Sequence, residues 1–270
     1  KIICKISSLH EELESVESRR QLKNIGEFNS FLKNYDLNYN QVENTIFEYL
    51  IPHILVKEEI TMIAARPGLG KSLTTFAFVN MILNNNLISK VIYLDGDNGL
   101  STLKQRKVHI VKEKHGEKLI YVQGRKTFEF NTLINSLLKS NLRNVLIVFD
   151  SIKNFMNGGD RDKNKDVSKV METLKNLRNN SASILYLHHC SKPVQGINEL
   201  LYAGSSAWEE DTTNGFILQR NLDKNSFIFV PIKARTGDLK ETAFTYCEDT
   251  HSLKEIDLVF GKETKEVLEI

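Results

Sequence analysis

The spacing of apolar residues changes after the first fifty positions, and this change predicts two regions. In the first region, apolar residues between positions 9 and 16 lie three or four residues apart among many charges. This stretch begins directly after Ser8, and the spacing of Ser8 and Glu11 is typical of a helix capping box. A second short helix is predicted over Phe28–Leu32. We therefore expect a short helical segment or linker over residues 1–48, packed either on its own domain or on a neighbouring subunit.

Beyond this point, short apolar runs alternate with longer amphipathic stretches. The runs that predict strands are Ile60–Ala64, Val91–Leu94, Leu119–Val122, Val145–Phe149, Ile184–Leu187, Gly215–Leu218 and Phe227–Ile232. Strands separated by crossover helices predict an α/β domain over residues 49–270, with a mostly parallel central sheet flanked by helices. The last two runs have no helix between them, so we expect the far edge of the sheet to be antiparallel.

Composition and charge fit a globular chain without an overall charge field. Of 270 residues, 36 are Lys or Arg and 34 are Asp or Glu, so the net charge is +2 and any polyanion site must be local. The three cysteines, Cys4, Cys190 and Cys247, lie far apart, which fits a reducing, cytoplasmic setting rather than a disulfide framework or a zinc site.

The longest uncharged run, Ser72–Ser89, is expected to be a buried helix rather than a membrane span, because it contains four asparagines. We therefore expect no membrane association. Because the chain begins at Lys1 rather than Met, we expect either a fragment of a longer protein or a chain from which a tag was removed.

The strongest chemical signal is a glycine-rich loop between a predicted strand and a predicted helix, which reads Ala65-Arg66-Pro67-Gly68-Leu69-Gly70-Lys71-Ser72. Glycines let successive backbone N–H groups point at phosphate oxygens, and the helix start adds its partial positive charge. Lys71 would reach the β- and γ-phosphates of ATP, and Ser72 would bind Mg²⁺. The residues expected to hold the nucleotide are Pro67, Gly68, Leu69, Gly70, Lys71 and Ser72. The pattern asks for glycine where Ala65 stands, which is expected to change little because the last five residues build the cradle.

Two further predicted strands end in carboxylates. The fourth continues into Asp150, which at the mouth of a parallel sheet would hold Mg²⁺ together with Ser72. The second leads into Asp95 and Asp97, where a carboxylate near the γ-phosphate would orient or deprotonate the attacking water. We expect this role for Asp97 rather than Asp95. The alternative is a turn whose carboxylates face solvent.

Several segments together resemble the RecA-like hexameric P-loop ATPases, in particular the branch of RepA-type and DnaB-type replicative helicases. The resemblance extends over roughly residues 50–245 and implies a RecA-like fold with ATP and Mg²⁺ as cofactors. It also implies a homo-oligomeric, hexameric ring on single-stranded DNA, with an attached or associated primase or polymerase, in bacterial, phage or plasmid replication. The segments that carry it are residues 64–72, 91–97, 148–151, 187–192, 204–209 and 233–237.

The resemblance implies roles for three residues outside the loop. His189 takes the position where the family often has a glutamine or histidine that senses the γ-phosphate and relays to the DNA-binding loop. Lys233 and Arg235 match the Lys-x-Arg pair with which a DnaB-type subunit reaches its neighbour's nucleotide. The family commonly has Glu where this chain has Asp97, and the shorter side chain holds its carboxylate about one methylene further back.

Two segments that follow predicted strands are expected to face the centre of such a ring. Flexible loops with Lys and Arg suit contacts to a nucleic-acid backbone without base reading. Acidic residues between the basic ones dilute the positive charge of the first segment. The residues expected to contact single-stranded DNA are Lys153, Arg161, Lys163 and Lys165 in the first segment and Lys192 in the second.

These observations predict an ATP hydrolase that acts as a ring-forming DNA helicase or translocase in replication. One alternative is a RecA-like ATPase that is not a motor, such as a KaiC-like ring or a recombination mediator. Another alternative is a module in which ATP assembles the ring and hydrolysis is incidental, which the departure at Asp97 keeps open.

Overall fold

The structure of the protein is a computed structural model. It describes residues 23–34, 36–124, 127–156, 158–190 and 205–262. The predicted capping box at Ser8 and Glu11, together with Cys4 and Lys192, lies outside these ranges. The chain divides into two units, one ending at Ile46 and one beginning at Phe47.

The first unit contains two helices in its described part. Helix α1 occupies residues 23–33 and helix α2 occupies Tyr39–Glu43. The prediction of a helix over Phe28–Leu32 is confirmed, since these residues lie inside α1.

The second unit is built on a nine-stranded sheet in the order β11-β10-β9-β8-β3-β7-β6-β4-β5, and β1 and β2 pair separately. The strands are β1 (Tyr49–Ile51), β2 (Leu55–Val56), β3 (Ile60–Ala65), β4 (Lys90–Asp95), β5 (Leu119–Gln123), β6 (Val145–Asp150), β7 (Ala182–His189), β8 (Asn214–Asn221), β9 (Ser226–Ala234), β10 (Thr242–Cys247) and β11 (Ser252–Ile256). The helices are α3 (Lys71–Asn84), α4 (Leu100–Gln105), α5 (Val108–His115), α6 (Thr127–Leu137), α7 (Asn164–Asn179), α8 (Ala207–Asp211) and α9 (Leu258–Lys262).

The mostly parallel sheet with an antiparallel edge is confirmed, with one difference in where the edge begins. Strands β5, β4, β6, β7, β3 and β8 pair in parallel, and β9, β10 and β11 continue the sheet antiparallel. The run from Gly215 was expected to belong to the antiparallel edge, but β8 runs parallel to β3. The reason is that the connection from β7 to β8 contains α8, a crossover element too short to give a periodic apolar pattern.

Apolar side chains cover both faces of the sheet. On one face, the ring of Phe78 in α3 packs against Phe229 and Phe244, with centroids 5.3 and 5.6 Å away. On the other face, α7 buries a stripe of apolar residues at helical spacing, from Val167 to Leu177. A sheet covered in this way is a rigid platform, and the carboxyl ends of its parallel strands meet at one edge, where α/β sheets bind ligands.

Within the described ranges, the helices are too short or too polar to cross a membrane.

Candidate active site

The glycine-rich loop connects the buried strand β3 to the start of α3. Gly68 and Gly70 have φ angles of 82° and 95°, in the left-handed region that favours glycine. A Cβ atom on Gly70 would also lie 2.7 Å from Cε1 of Phe227 in β9, so a side chain is excluded there on two grounds. The loop is therefore curled tightly, and it packs on the beginning of β9.

Lys71 is the first residue of α3 and its side chain turns back over the loop. Its Nζ donates hydrogen bonds to the carbonyl oxygens of Ala65, at 2.8 Å, and Arg66, at 3.2 Å. Burial lowers the pKa of Lys71, and the carboxylates of Asp150 and Asp97 act against this effect. Ala65 contributes its carbonyl oxygen rather than its side chain, which explains why alanine serves where the pattern asks for glycine.

Asp150 lies at the end of β6 with only 2% of its surface exposed. Its carboxylate accepts hydrogen bonds from the hydroxyls of Tyr93, at 2.8 Å, and Ser72. Burial raises the pKa of Asp150 to about 6, and the negative charge of Asp95 adds to this, whereas the two hydrogen bonds act against it.

The Ser72 and Asp150 oxygens fit Mg²⁺, which takes oxygen ligands and is commonly held in nucleotide sites by one or two protein groups plus phosphates. None of the described ranges groups three or more His, Cys, Asp or Glu side chains as a denser metal site.

Asp95 is fully buried and serves as the anchor of the turn that follows β4. Its Oδ1 accepts from the backbone N–H groups of Asp97, at 2.9 Å, and Asn98, at 3.0 Å, and from the Asn98 amide. Its Oδ2 accepts from the Tyr121 hydroxyl at 2.6 Å and again from the Asn98 amide. Both oxygens are thus committed to the fold, and Asp95 has no capacity left to orient a water molecule.

Asp97 is held differently, at the open side of the same turn. Its Oδ2 accepts from the Ser151 hydroxyl at 2.8 Å, its Oδ1 accepts from the Asn154 amide at 2.9 Å, and Lys153 Nζ lies 3.5 Å from Oδ1. Burial acts to raise the pKa of Asp97, but the donors on Asn154 and Ser151 and the charge of Lys153 outweigh it and lower the pKa. Between the two carboxylates of this turn, the geometry favours Asp97 as the group that faces the reaction.

His189 ends β7 beside the same edge of the sheet. Its pKa is lowered by burial and by the positive charges of Lys71 and Lys153, so the imidazole is neutral at pH 7. Its Nε2 has no hydrogen-bond partner in the described part of the chain. A neutral ring with a free nitrogen suits a role as sensor of a phosphate oxygen.

One cavity of about 680 Å³ is lined by Pro67, Gly68 and Gly70 of the loop and by Lys71, Ser72, Asp97, Asp150 and His189, but not by Asp95. A second cavity, of about 720 Å³, lies on the other face of the sheet between α6 and α7 and contains none of them. Tyr246 of β10 and His251 also line the first cavity, and the Tyr246 hydroxyl lies 2.9 Å from Nδ1 of His251. Among the lining residues that sequence reasoning missed are Ser151, Arg106, Lys107, Arg220, Phe227, Tyr246, Glu248 and His251.

The tyrosines that hold Asp95 and Asp150 were also missed, although the sequence contains a signal for them. Tyr93 stands two residues before Asp95, on the same face of β4, and its partner in register on β5 is Tyr121. The two rings stack with centroids 4.8 Å apart and 7° between their planes. Paired tyrosines next to strand-end carboxylates are a pattern that can be sought before a structure is known.

Lys233 and Arg235 lie elsewhere, at the end of β9, and they do not line the 680 Å³ cavity. Lys233 Nζ donates to the carbonyl oxygens of Glu209 and, at 2.8 Å, Glu210, and Arg235 Nη2 donates to the latter at 2.9 Å. Within the subunit both cations therefore cap the last turn of α8, where carbonyl groups lack helical partners.

The residues expected to contact nucleic acid fall into two groups. Lys153 lies beside Asp97, which lines the cavity, but does not itself line it. Arg161 and Lys163 are exposed on the segment that leads into α7, and each has an acidic neighbour at 3.9 Å, whereas Lys165 is exposed in the first turn of α7. This segment is fixed to α8, since the carbonyl oxygen of Arg161 accepts from the backbone N–H of Ser205 and from the Trp208 indole.

A family model described as an AAA domain matches residues 32–195. No curated protein sequence matches the chain significantly.

Solved structures share the fold at low sequence identity. A structure described as an ATPase domain is 14% identical, with 74% of this chain and 86% of that chain covered and a TM-score of 0.55. A DnaB-like replicative helicase, described with its interactions with primase, is 13% identical, with 90% and 74% covered and a TM-score of 0.61. The RadB recombinase is 16% identical, with 75% and 93% covered and a TM-score of 0.54. The expected RecA-like fold and the likeness to DnaB-type proteins are thereby confirmed.

The two carboxylates of the turn after β4 are expected to respond differently to substitution. Asp97→Ala should lower kcat for ATP about 100-fold with little change in KM, because a group that orients water acts mainly in the transition state. Asp95→Ala should instead lower the free energy of unfolding by about 1–3 kcal/mol, because it leaves half-buried donors on Tyr121 and Asn98 unpaired. Steady-state kinetics and denaturant unfolding of both variants test the assignment. A larger loss of kcat at Asp95 in a stably folded variant would reverse it.

We expect the ionised carboxylate of Asp150 to destabilise the fold, although we also expect ATP hydrolysis to require it. Its folded pKa of about 6 exceeds the unfolded value of about 3.9, so this group stabilises the fold below about pH 4 and that contribution is lost as pH rises through about 6. In metal-free protein at pH 7.5, Asp150→Asn should therefore raise the free energy of unfolding by about 1–3 kcal/mol and remove this pH dependence. Unfolding measured from pH 4 to 7.5 tests this, with the exposed Asp223→Asn as control. A less stable Asp150→Asn protein at pH 7.5 would contradict it.

Proposed function

Since the chain belongs to the AAA domain family, whose model spans residues 32–195, we propose that it is an ATP-driven motor that moves along single-stranded DNA. The family and the RecA-like fold make it an ATPase domain. The observation that carries the proposal is the convergence of the glycine-rich loop with Asp150, Asp97 and His189 on one cavity, at the carboxyl ends of four neighbouring strands. This arrangement supports ATP as the substrate, with hydrolysis at the edge of the sheet.

Five side chains of the cavity have roles in the proposed hydrolysis. A water oxygen bonds to the γ-phosphorus, while the bond from that phosphorus to the bridging oxygen of the departing ADP breaks. Asp97 orients the water and accepts its proton, and Lys71 neutralises charge on the β- and γ-phosphates. Mg²⁺, when held by Ser72 and Asp150, supplies further charge neutralisation to the phosphate oxygens. His189 senses the γ-phosphate through its Nε2.

Three observations support single-stranded DNA as the track. Lys153 lies 3.5 Å from Asp97, which lines the cavity, and the chain that follows carries the exposed Arg161, Lys163 and Lys165, which supports adjacent nucleotide and polyanion sites. Exposed cations without an ordered base-reading surface suit contacts to a phosphate backbone. The proteins of similar fold include a DnaB-like replicative helicase and the RadB recombinase. A cytoplasmic replication protein that associates with a primase or polymerase is consistent with these features.

We also propose that copies of the chain form a ring, which the resemblance to DnaB-type helicases implies to be hexameric. Arg235 and Lys233 lie outside their own cavity, at the tip of β9, which suits delivery to the nucleotide of an adjacent subunit. The capping of α8 would then hold the pair in place for that contact. The similarity to RadB, at nearly the same TM-score as the solved ATPase domain, favours a second candidate, a recombination-type ATPase that is not a motor.

The motor is tested by ATP turnover with and without a single-stranded oligodeoxythymidylate. We expect the oligonucleotide to raise kcat at least several-fold, and to bind less tightly as salt increases, because phosphate contacts release counterions. Lys71→Ala should reduce turnover by about 100-fold or more under both conditions, since it removes the charge on the β- and γ-phosphates. The exposed Lys139→Ala serves as the matched control. ATP turnover that ignores the oligonucleotide would favour the recombination-type or assembly candidates.

The ring is tested by mixing two inactive variants. Arg235→Ala should fold and bind ATP but lose about 10³-fold or more in hydrolysis, because a guanidinium from the adjacent subunit stabilises the transition state. Mixed with Lys71→Ala, it should regain activity at interfaces that combine an intact loop with an intact arginine. Mass measurement must confirm that the subunits mix, and Arg235→Lys, which keeps the charge but not the planar fork, should remain impaired. Mixed rings without recovery, or a dilute monomer with full activity, would contradict action between subunits.

A further inference from the structure

The Asp97 carboxylate is held by three side chains from one short segment. Ser151 donates to Oδ2, Asn154 donates to Oδ1, and the ammonium of Lys153 lies 3.5 Å from the same Oδ1. Both oxygens are therefore engaged from one side by groups that belong to a single turn after β6. We call Asn154 and Lys153 the Asp97 clamp.

The clamp is built into the backbone packing around it. A Cβ atom on Gly96 would lie 2.6 Å from Cβ of Asn154, so the turn after β6 approaches the turn after β4 as closely as glycine permits. The turn after β6 is anchored in the core by Ile152, which is fully buried, and by Phe155, whose ring packs edge-on against Phe149 at 5.1 Å. Between these anchors, Lys153 is 41% exposed, so one end of the clamp is accessible from outside.

A clamped carboxylate is a weaker partner for the attacking water. Each donor occupies lone pairs that would otherwise accept from water, and each stabilises the charged form against taking up a proton. The lowered pKa of Asp97 agrees with this geometry. With the clamp closed, Asp97 is ionised but is poorly suited to act as a base.

Lys153 links the clamp to the proposed DNA contacts. It is the first basic residue of the segment that later carries Arg161, Lys163 and Lys165, and its ammonium cannot serve Asp97 and a distant phosphate at the same time. A strand of nucleic acid along this segment would compete for Lys153. Loss of that charge beside Oδ1 would leave Asn154 as the only remaining donor to this oxygen within the described chain.

We propose that Asn154 and Lys153 are positioning residues that hold Asp97 in a poorly active arrangement until a nucleic-acid phosphate draws Lys153 away. The proposal rests on the function proposed above, with Asp97 acting on the water and single-stranded DNA as the track. It assigns the stimulation of ATP turnover by DNA to a contact inside one subunit.

The test is the steady-state kinetics of clamp variants, with and without single-stranded oligodeoxythymidylate. Asn154→Ala and Lys153→Met should each raise kcat without the oligonucleotide ~2–10-fold, the factor expected for losing one hydrogen bond or ion pair. KM for ATP should stay the same, and kcat with the oligonucleotide should change little, so the stimulation ratio falls by the same factor. Lys139→Met removes an exposed lysine elsewhere and should match the wild type.

The possible results separate the clamp from the motor. If both clamp variants are folded by circular dichroism and their kcat without the oligonucleotide is unchanged or lower, the clamp is overturned. If their kcat rises but the wild type is not stimulated by the oligonucleotide, Asp97 is clamped but DNA is not the trigger, which overturns that part together with the motor. If the wild type is stimulated and the clamp variants keep the full stimulation ratio, the motor stands and the clamp does not.

Discussion

Two buried carboxylates are neighbours on adjacent strands. Their desolvation and their mutual repulsion must be offset, and the rest of the site depends on how this is done. Asp95 and Asp150 are partners in register at the ends of β4 and β6, with 0% and 2% of their surfaces exposed. Stacked Tyr93 and Tyr121 each donate to one of them, and Asp95 receives further donors from the turn that it anchors. Burial and the remaining repulsion from Asp95 raise the pKa of Asp150, which is the carboxylate best placed to bind a cation. The pair thus fixes the turn that carries Asp97 and leaves Asp150 in need of positive charge.

The fold and the phosphate loop were predictable from the sequence because their signals are local. Alternating apolar runs and helices give the parallel sheet, and glycines between a strand and a helix give the loop. The hydrogen-bond partners of the carboxylates were not predictable, because they depend on which strands become neighbours. Asn154 lies 57 residues after Asp97, and only the order β6-β4 brings their turns together. For the same reason, α8 and the parallel direction of β8 were missed.

These contacts help to explain why Asp97 stands where the resembling family commonly has glutamate. A shorter side chain places its carboxylate further back, within reach of Ser151 and Asn154 on the neighbouring turn. Close packing of Asn154 on Gly96 leaves little room for that turn to shift. The length of the Asp97 side chain therefore matches the position of the turn after β6. The chain that follows this turn carries the exposed basic residues Arg161, Lys163 and Lys165.

Strand β9 joins two places that have so far been considered separately. Near its start, Phe227 packs against Gly70 of the phosphate loop, and directly after its end stands Arg235. Nine residues of extended chain span about 25–30 Å, and neighbours on both sides hold the strand by hydrogen bonds. Such a strand behaves as a stiff rod. In the proposed ring, a shift of the loop against Phe227 would therefore move the far tip of the strand, and with it the arginine that is proposed to reach the next subunit.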